Sequence, residues 1–76
     1  MTKLPVLKSK QLLSILQKAG WEIARQKGSH IQLKHIDKPH YLVTIPYHNK
    51  DIAIGTLVSI IKQMGLTKEG FEELLK

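Results

Sequence analysis

The sequence contains no cysteine, and this absence excludes two ways in which small proteins supplement a core. Neither a disulfide bridge nor a zinc–thiolate site can form, so the 76-residue chain has to fold on apolar packing. Hydrophobic residues make up 42% of the chain, which is enough for one dense core, and we predict a single domain over residues 1–76. The lack of cysteine also fits a reducing compartment, and we expect a cytoplasmic protein.

Long apolar runs are missing as well. The apolar stretch at the start of the chain is short and is ended by Lys8, so we expect no signal peptide. No apolar run approaches the roughly 20 residues that a membrane-spanning helix needs. We therefore expect a soluble protein without membrane contacts.

Acidic residues are few. The chain has 6 of them against 12 lysines and arginines, which gives a net charge of +6. Three acidic residues lie together near the end, at Glu69, Glu72 and Glu73. Without these three and Lys76, residues 1–68 carry 11 basic and 3 acidic side chains. Such a charge either serves solubility alone or attracts a polyanion, so nucleic acid is a candidate partner.

Several enzyme motifs are also lacking. There is no phosphate-binding loop and no dinucleotide-binding fingerprint. The acidic residues outside the last segment stand far apart in the sequence, which argues against a two-metal nuclease. The four histidines, at positions 30, 35, 40 and 48, have no close metal-ligand spacing. We expect neither a metal nor another cofactor, and we expect His35 and His40 to flank a turn in water.

Apolar residues at helical spacing predict the first element, a helix over about residues 10–19. Ser9 is a candidate N-cap, because its hydroxyl can accept from a free amide of the first turn. Gly20 is expected to end the helix in a left-handed conformation.

Three short strands are predicted next, over residues 21–26, 30–34 and 41–45. The turns between them are expected at Lys27-Gly28 and Asp37-Lys38-Pro39. These connections are too short for parallel crossovers, so the strands should form an antiparallel meander. In the middle strand, apolar and polar residues alternate, which puts His30, Gln32 and Lys34 on one face of the sheet.

A second amphipathic helix is predicted from about Gly55 to Gly65, followed by a short last helix capped by Thr67. The predicted fold is therefore α+β, with the order α-β-β-β-α and a short C-terminal helix. Because so small a domain has one core, both main helices should cover the same face of the three-stranded antiparallel sheet. The opposite face, which bears His30, should remain open to water.

The segment from Arg25 to His30 carries the most informative chemistry. Gly28 permits a sharp turn and a close ligand approach, and Ser29 adds a hydroxyl. Lys27 and Lys34 add positive charge around His30, whose imidazole can take and give a proton near neutral pH. RNA suits such a group, since its 2′-hydroxyl is a built-in nucleophile beside the phosphate. From the residue types alone, a polar histidine on an exposed strand is the favoured interpretation of His30.

Four motifs in order carry a resemblance to a known family. They are Ser9-x-x-Leu12-x-x-x-Leu16-x-x-Ala19-Gly20-Trp21, Arg25-Gln26-x-Gly28-Ser29-His30, Val43-Thr44-Ile45-Pro46-x-His48 and Gly55-Thr56-Leu57-x-x-Ile60-x-x-Gln63-x-Gly65-Leu66. Together they resemble the HicA (YcfA-like) mRNA interferase toxins over nearly the whole chain. The resemblance implies a fold similar to a double-stranded-RNA-binding domain, and a catalytic histidine at His30. It also implies a metal-independent endoribonuclease that a HicB antitoxin blocks.

On this basis we expect Lys27, Gly28, Ser29, Lys34 and His48 to bind RNA around the catalytic His30. His48 is equally suited to cap the polar bend in which it lies. We expect the free chain to be monomeric, with mRNA and a HicB-like antitoxin as partners. Two other functions stay open: a non-catalytic double-stranded-RNA-binding module on the same fold, and a module that only binds an acidic protein.

Overall fold

The computed structural model describes residues 4–38 and 40–76. Its elements are, in order, α1 (Ser9–Lys18), β1 (Trp21–Lys27), β2 (His30–His35), β3 (Leu42–Pro46), α2 (Ile54–Gln63) and α3 (Lys68–Leu74). The strands form one antiparallel sheet in the order β1-β2-β3. The predicted α+β order is confirmed, with element ends shifted by a residue or two. Pro39, predicted in the second turn, lies outside the described residues.

The core lies between the helices and one face of the sheet. Alternate residues of β2 and β3 (Ile31, Leu33, Val43 and Ile45) are buried, as the alternating pattern predicts. They pack with the apolar faces of the helices, through residues that include Leu12, Leu16, Leu57, Ile60, Ile61 and Phe71. The other face of the sheet bears polar side chains and is open. Among the described residues, no helix is long and apolar enough to span a bilayer.

Two glycines end the main helices, as predicted, and both adopt the left-handed conformation that was predicted for Gly20. Gly20 has φ +97° and Gly65 has φ +77°. Both positions are also crowded, since a Cβ on Gly20 would lie 3.0 Å from Nε2 of His35 and one on Gly65 would lie 2.8 Å from Cε2 of Tyr41. These glycines therefore serve both the backbone conformation and the packing.

The caps of α3 and α1 turn out differently. Thr67 caps α3 as predicted, with its hydroxyl accepting from the Gly70 amide at 3.0 Å. The prediction for Ser9 is wrong: the N-cap of α1 is Lys8, whose amide donates to the Gln11 side chain at 2.9 Å. Ser9 lies inside the helix and is fully buried, and its hydroxyl donates to the Pro46 carbonyl at 2.6 Å. Since a buried hydroxyl needs partners, it bonds to the end of β3 instead of the helix backbone.

The prediction that His35 is solvated is also wrong. The residue is half-buried, and its ring packs edge-on against Trp21 at a centroid distance of 5.1 Å. Its Nε2 donates to the Ala19 carbonyl at 3.0 Å, and its Nδ1 accepts from the Asp37 amide at 3.1 Å. The end of α1 and the bend after β2 enclose the ring, and this contact lies outside the reach of local sequence patterns. His40 is exposed, as predicted.

The outer edge of β3 is partly occupied by α2. The backbone amide of Thr44 donates to Oε1 of Gln63 at 2.9 Å, and Nε2 of Gln63 donates to the Ser59 hydroxyl at 3.4 Å. A helix side chain therefore takes up a backbone donor that a further strand would otherwise use.

Candidate active site on the open sheet face

A β-bulge in β1 decides which side chains reach the open face. The pairing with β2 passes from Ile23↔Leu33 to Arg25↔Gln32, so Ala24 is the extra residue. In a regular strand, Ile23 and Arg25 would point to the same face. The bulge reverses the alternation, and Arg25 comes to lie opposite Gln32 on the open face.

The pairings arrange the open face in rows that run across the three strands. We name them the hairpin row (Lys27, His30, Pro46), the middle row (Arg25, Gln32, Thr44) and the far row (Glu22, Lys34, Leu42). Directly paired side chains on one face stand about 5 Å apart at Cβ. His30 therefore has Lys27 on one side and the end of β3 on the other. Lys27, predicted in the turn, is the last residue of β1.

A recess of about 620 Å³ opens where the hairpin row meets the middle row. Its lining residues are Arg25, Lys27, Gly28, Ser29, His30, Gln32 and Thr44. None of them is acidic, and two are permanently cationic, so the recess has a positive potential. Gly28 adopts φ +57° in the turn, and a Cβ built on it would meet no atom within 4 Å. The turn thus leaves the rim of the recess unobstructed.

The His30 side chain is exposed and is free for chemistry. Within residues 4–38 and 40–76, no group forms a hydrogen bond or ion pair with its ring. Both ring nitrogens can therefore exchange a proton with a ligand in the recess. The ring differs in this respect from that of His35, which uses both nitrogens to hold the backbone.

The backbone around His30 is firmly held, although its side chain is free. The Tyr47 amide donates to the Ser29 carbonyl at 2.6 Å, directly beside the pair His30↔Pro46. The buried Ser9 hydroxyl holds the Pro46 carbonyl from the other side and accepts from the His48 amide at 3.3 Å. The first turn of α1 thus ties the end of β3 to the core, and this strand end supports the catalytic candidate.

The structure divides the predicted site residues into two groups. Lys27, Gly28 and Ser29 line the recess together with His30. Lys34 does not line it: this lysine lies in the far row, opposite Glu22. His48 also lies outside the lining.

His48 has a structural role in the bend after β3. The residue is exposed, and its Nδ1 accepts from the Lys50 amide at 3.2 Å. Of the two interpretations of His48, the contact bears out the cap of the polar bend, and RNA binding by this residue stays a prediction. Its other ring nitrogen, Nε2, has no partner among the described residues.

Three lining residues were not predicted as site residues: Arg25, Gln32 and Thr44. Gln32 was placed on the open face by the alternation, and its membership of the recess follows from that position. Arg25 could not be placed, because regular alternation from the buried Trp21 assigns it to the core face. The only signal in the sequence is that regular alternation would place a charged side chain, that of Arg25, on the buried core face.

No metal site is apparent in the part of the chain that the structure describes, where no three His, Asp or Glu side chains come together. What the recess does offer is one free imidazole, two hydroxyls and two cationic side chains on the sheet. Such a set can transfer a proton and stabilise negative charge on a phosphate.

Comparison with known families assigns the chain. None of the curated proteins compared with it matches significantly. A family model described as the HicA toxin of bacterial toxin-antitoxin matches residues 9–66, which run from the start of α1 to the residue before the cap of α3. The match includes both the Gly28–His30 turn and the bulged strand, and it supports an enzyme in the broad sense. The chain therefore belongs to the HicA family and is the toxin of a bacterial toxin–antitoxin system, in which an antitoxin is its partner.

Proposed function

We propose that this toxin is an endoribonuclease that cleaves mRNA through His30 without a metal ion, and that a HicB-like antitoxin blocks it. The observation that carries the proposal is the exposed, uncommitted imidazole of His30 in a recess lined by cations and no acid. A structural histidine would use its nitrogens to satisfy the fold, as His35 does.

In the proposed reaction, His30 takes the proton of a ribose 2′-hydroxyl. The 2′-oxygen then forms a bond to the adjacent phosphorus, and the bond from phosphorus to the 5′-oxygen breaks. The products are a 2′,3′-cyclic phosphate and a 5′-hydroxyl, after water protonates the leaving oxygen and takes the proton from the imidazolium. The Lys27 ammonium and the exposed turn at Gly28 and Ser29 are placed to stabilise the charged transition state.

The other predicted contacts lie outside the recess. Lys34 and His48 would bind nucleotides that flank the cleaved bond, the former along β2 and the latter from the bend after β3. The antitoxin would act by covering the open face, and the basic surface of residues 1–68 favours a partner that presents carboxylates there. We propose that the toxin acts in the cytoplasm, as a monomer when it is free of this partner.

The test is cleavage of a long unstructured transcript by wild-type protein and by His30→Ala, both in EDTA. Wild-type cleavage should persist in EDTA, and the substitution should lower the rate by about 10²–10⁴-fold, the usual contribution of one general base. Circular dichroism should show the same fold, because the side chain is exposed. Undiminished cleavage by folded His30→Ala would remove the histidine from this role. Loss of wild-type activity in EDTA, restored by a divalent ion, would contradict the metal-free mechanism.

The matching control is His40→Ala. His40 is exposed like His30 but lies beyond the end of β2 and outside the recess. This variant should cleave at the wild-type rate, which would show that loss of any exposed imidazole is not sufficient.

A further inference from the structure

The middle row is unexplained by a mechanism that uses only the hairpin row. Arg25, Gln32 and Thr44 line the same recess as His30, and they are adjacent to one another by strand pairing. The Arg25 side chain is exposed and has no ion-pair or hydrogen-bond partner among the residues that the structure describes. A bulge in the strand is what brings this side chain to the recess.

The charges around the recess leave Arg25 uncompensated. Asp51 is paired with Lys8 at 3.3 Å, and Glu73 with Lys76 at 3.3 Å. Glu22 faces Lys34 in the far row. Arg25 and Lys27 are the two cationic side chains that line the recess, and neither has an ion-pair partner among the described residues.

Arg25 and Lys27 are spaced as two phosphate contacts along one strand. Side chains two residues apart on one face of a strand lie roughly 7 Å apart, which is of the order of one nucleotide in an extended chain. A guanidinium can hold two oxygens of one phosphate in a fixed orientation, which an ammonium cannot do. Gln32 stands beside Arg25 with an amide that both donates and accepts, as a base edge requires.

We infer that the middle row is a nucleotide-binding subsite for single-stranded RNA. Arg25 binds the phosphate next to the one that is cleaved, and Gln32 contacts the edge of the base, with Thr44 closing the row. The RNA strand then runs along β1, with successive phosphates at Lys27 and Arg25. This inference rests on the proposed ribonuclease function, and it adds the residues that align the substrate with His30.

The experiment measures binding of short single-stranded RNA by fluorescence anisotropy in the His30→Ala protein, which does not consume the ligand. Arg25→Gln should weaken binding by about 10- to 100-fold, as expected for one charged hydrogen-bonded contact. The slope of log affinity against log salt should fall by about 0.7, the value for one phosphate on a single strand. Arg25→Lys should keep most of the salt slope and recover only part of the affinity. The lysine keeps the positive charge but loses the planar guanidinium that can hold two oxygens of one phosphate.

Two controls separate a subsite from a general effect of charge. Lys62→Gln removes one exposed cation from α2, which covers the opposite face of the sheet, and it should change the affinity by less than about twofold. Lys34→Gln removes a cation from the open face itself and should cost less than Arg25→Gln, because Lys34 lies outside the recess. Gln32→Leu should reduce the differences in affinity among the four RNA homo-oligomers, each of which contains a single kind of base (A, C, G or U).

The outcomes are distinguishable. If the His30→Ala protein binds RNA and Arg25→Gln loses no more affinity than Lys62→Gln, the subsite is wrong and the proposed function stands. Unchanged base preference in Gln32→Leu would overturn the base contact and leave the phosphate contact. If the protein binds no RNA and the wild type cleaves none, the proposed function fails, and the subsite fails with it.

Discussion

Each end of the sheet has a glycine and a histidine, but the surroundings of the two pairs differ. At the hairpin end, His30 has an uncommitted ring, and a Cβ on Gly28 would meet nothing within 4 Å. At the other end, the ring of His35 holds two backbone groups, and a Cβ on Gly20 would lie 3.0 Å from it. Glycine and histidine serve packing at one end, while at the hairpin end the fold uses neither the space beside Gly28 nor the ring nitrogens of His30.

This comparison distinguishes the uncommitted ring of His30 from the structural ring of His35 by what the ring nitrogens already bind. The ring of His35 donates at one nitrogen and accepts at the other, so both nitrogens already bind the backbone. Neither nitrogen of the His30 ring binds a described group of the protein. We call the end with Gly20, His35 and Gly65 the packed end, and the end with Gly28 and His30 the hairpin end. Substitutions at each end test whether the stability of one depends on the other.

The largest expected effect on stability is that of Gly65→Ala at the packed end. The residue has φ +77°, and the new Cβ would lie 2.8 Å from Cε2 of Tyr41. Left-handed strain and overpacking together should lower the free energy of unfolding by about 2–5 kcal/mol, measured by urea denaturation. The control is Gly28→Ala, which has the strain without the clash and should cost only about 1–2 kcal/mol. Equal losses would mean that the packed end has room to relax.

His35→Ala should come next. The substitution removes the edge-on contact with Trp21 and leaves the Ala19 carbonyl and the Asp37 amide without their partner. We expect a loss of about 1–3 kcal/mol in the free energy of unfolding. RNA cleavage per folded molecule should stay at the wild-type rate, which is the reverse of the expectation for His30→Ala. Loss of cleavage in a fully folded His35→Ala protein would contradict the division between the two ends.

The smallest effect should be that of Ser9→Ala, which loosens the support of the hairpin end. The Pro46 carbonyl and the His48 amide lose the buried hydroxyl, and we expect a cost of about 1 kcal/mol because water can reach the exposed bend at His48. Hydrogen exchange should accelerate at the Tyr47 amide, which donates to Ser29. Exchange at Leu33, in the middle of the sheet, serves as the internal reference, and equal acceleration there would indicate global destabilisation.

Local patterns were sufficient for the elements and for four of the seven residues that line the recess. The alternation around Ile31 and Leu33 placed His30 on the open face, and Gly20 and Thr67 marked helix ends correctly. Such features depend on residues within a few positions of each other, so they can be read from periodicity and cap chemistry.

The errors share a different cause, namely contacts between residues distant in the sequence. Ser9 bonds to Pro46, 37 residues away, and His35 bonds to Ala19, 16 residues away. Arg25 reaches the recess because one extra residue in β1 reverses the alternation, and nothing in the local pattern fixes where a strand bulges. Sequence reasoning therefore identified the catalytic candidate and missed the residues that hold its backbone or line its recess.

The same bulge bears on how the protein behaves at high concentration. An open three-stranded sheet has two edges, and a regular edge is a template on which strands of other molecules add and aggregate. At β1, the extra residue Ala24 interrupts the regular repeat of backbone donors and acceptors. At β3, the Gln63 side chain already occupies the Thr44 amide. The irregularity that turns Arg25 toward the recess thus also disfavours edge-to-edge association between copies of the chain.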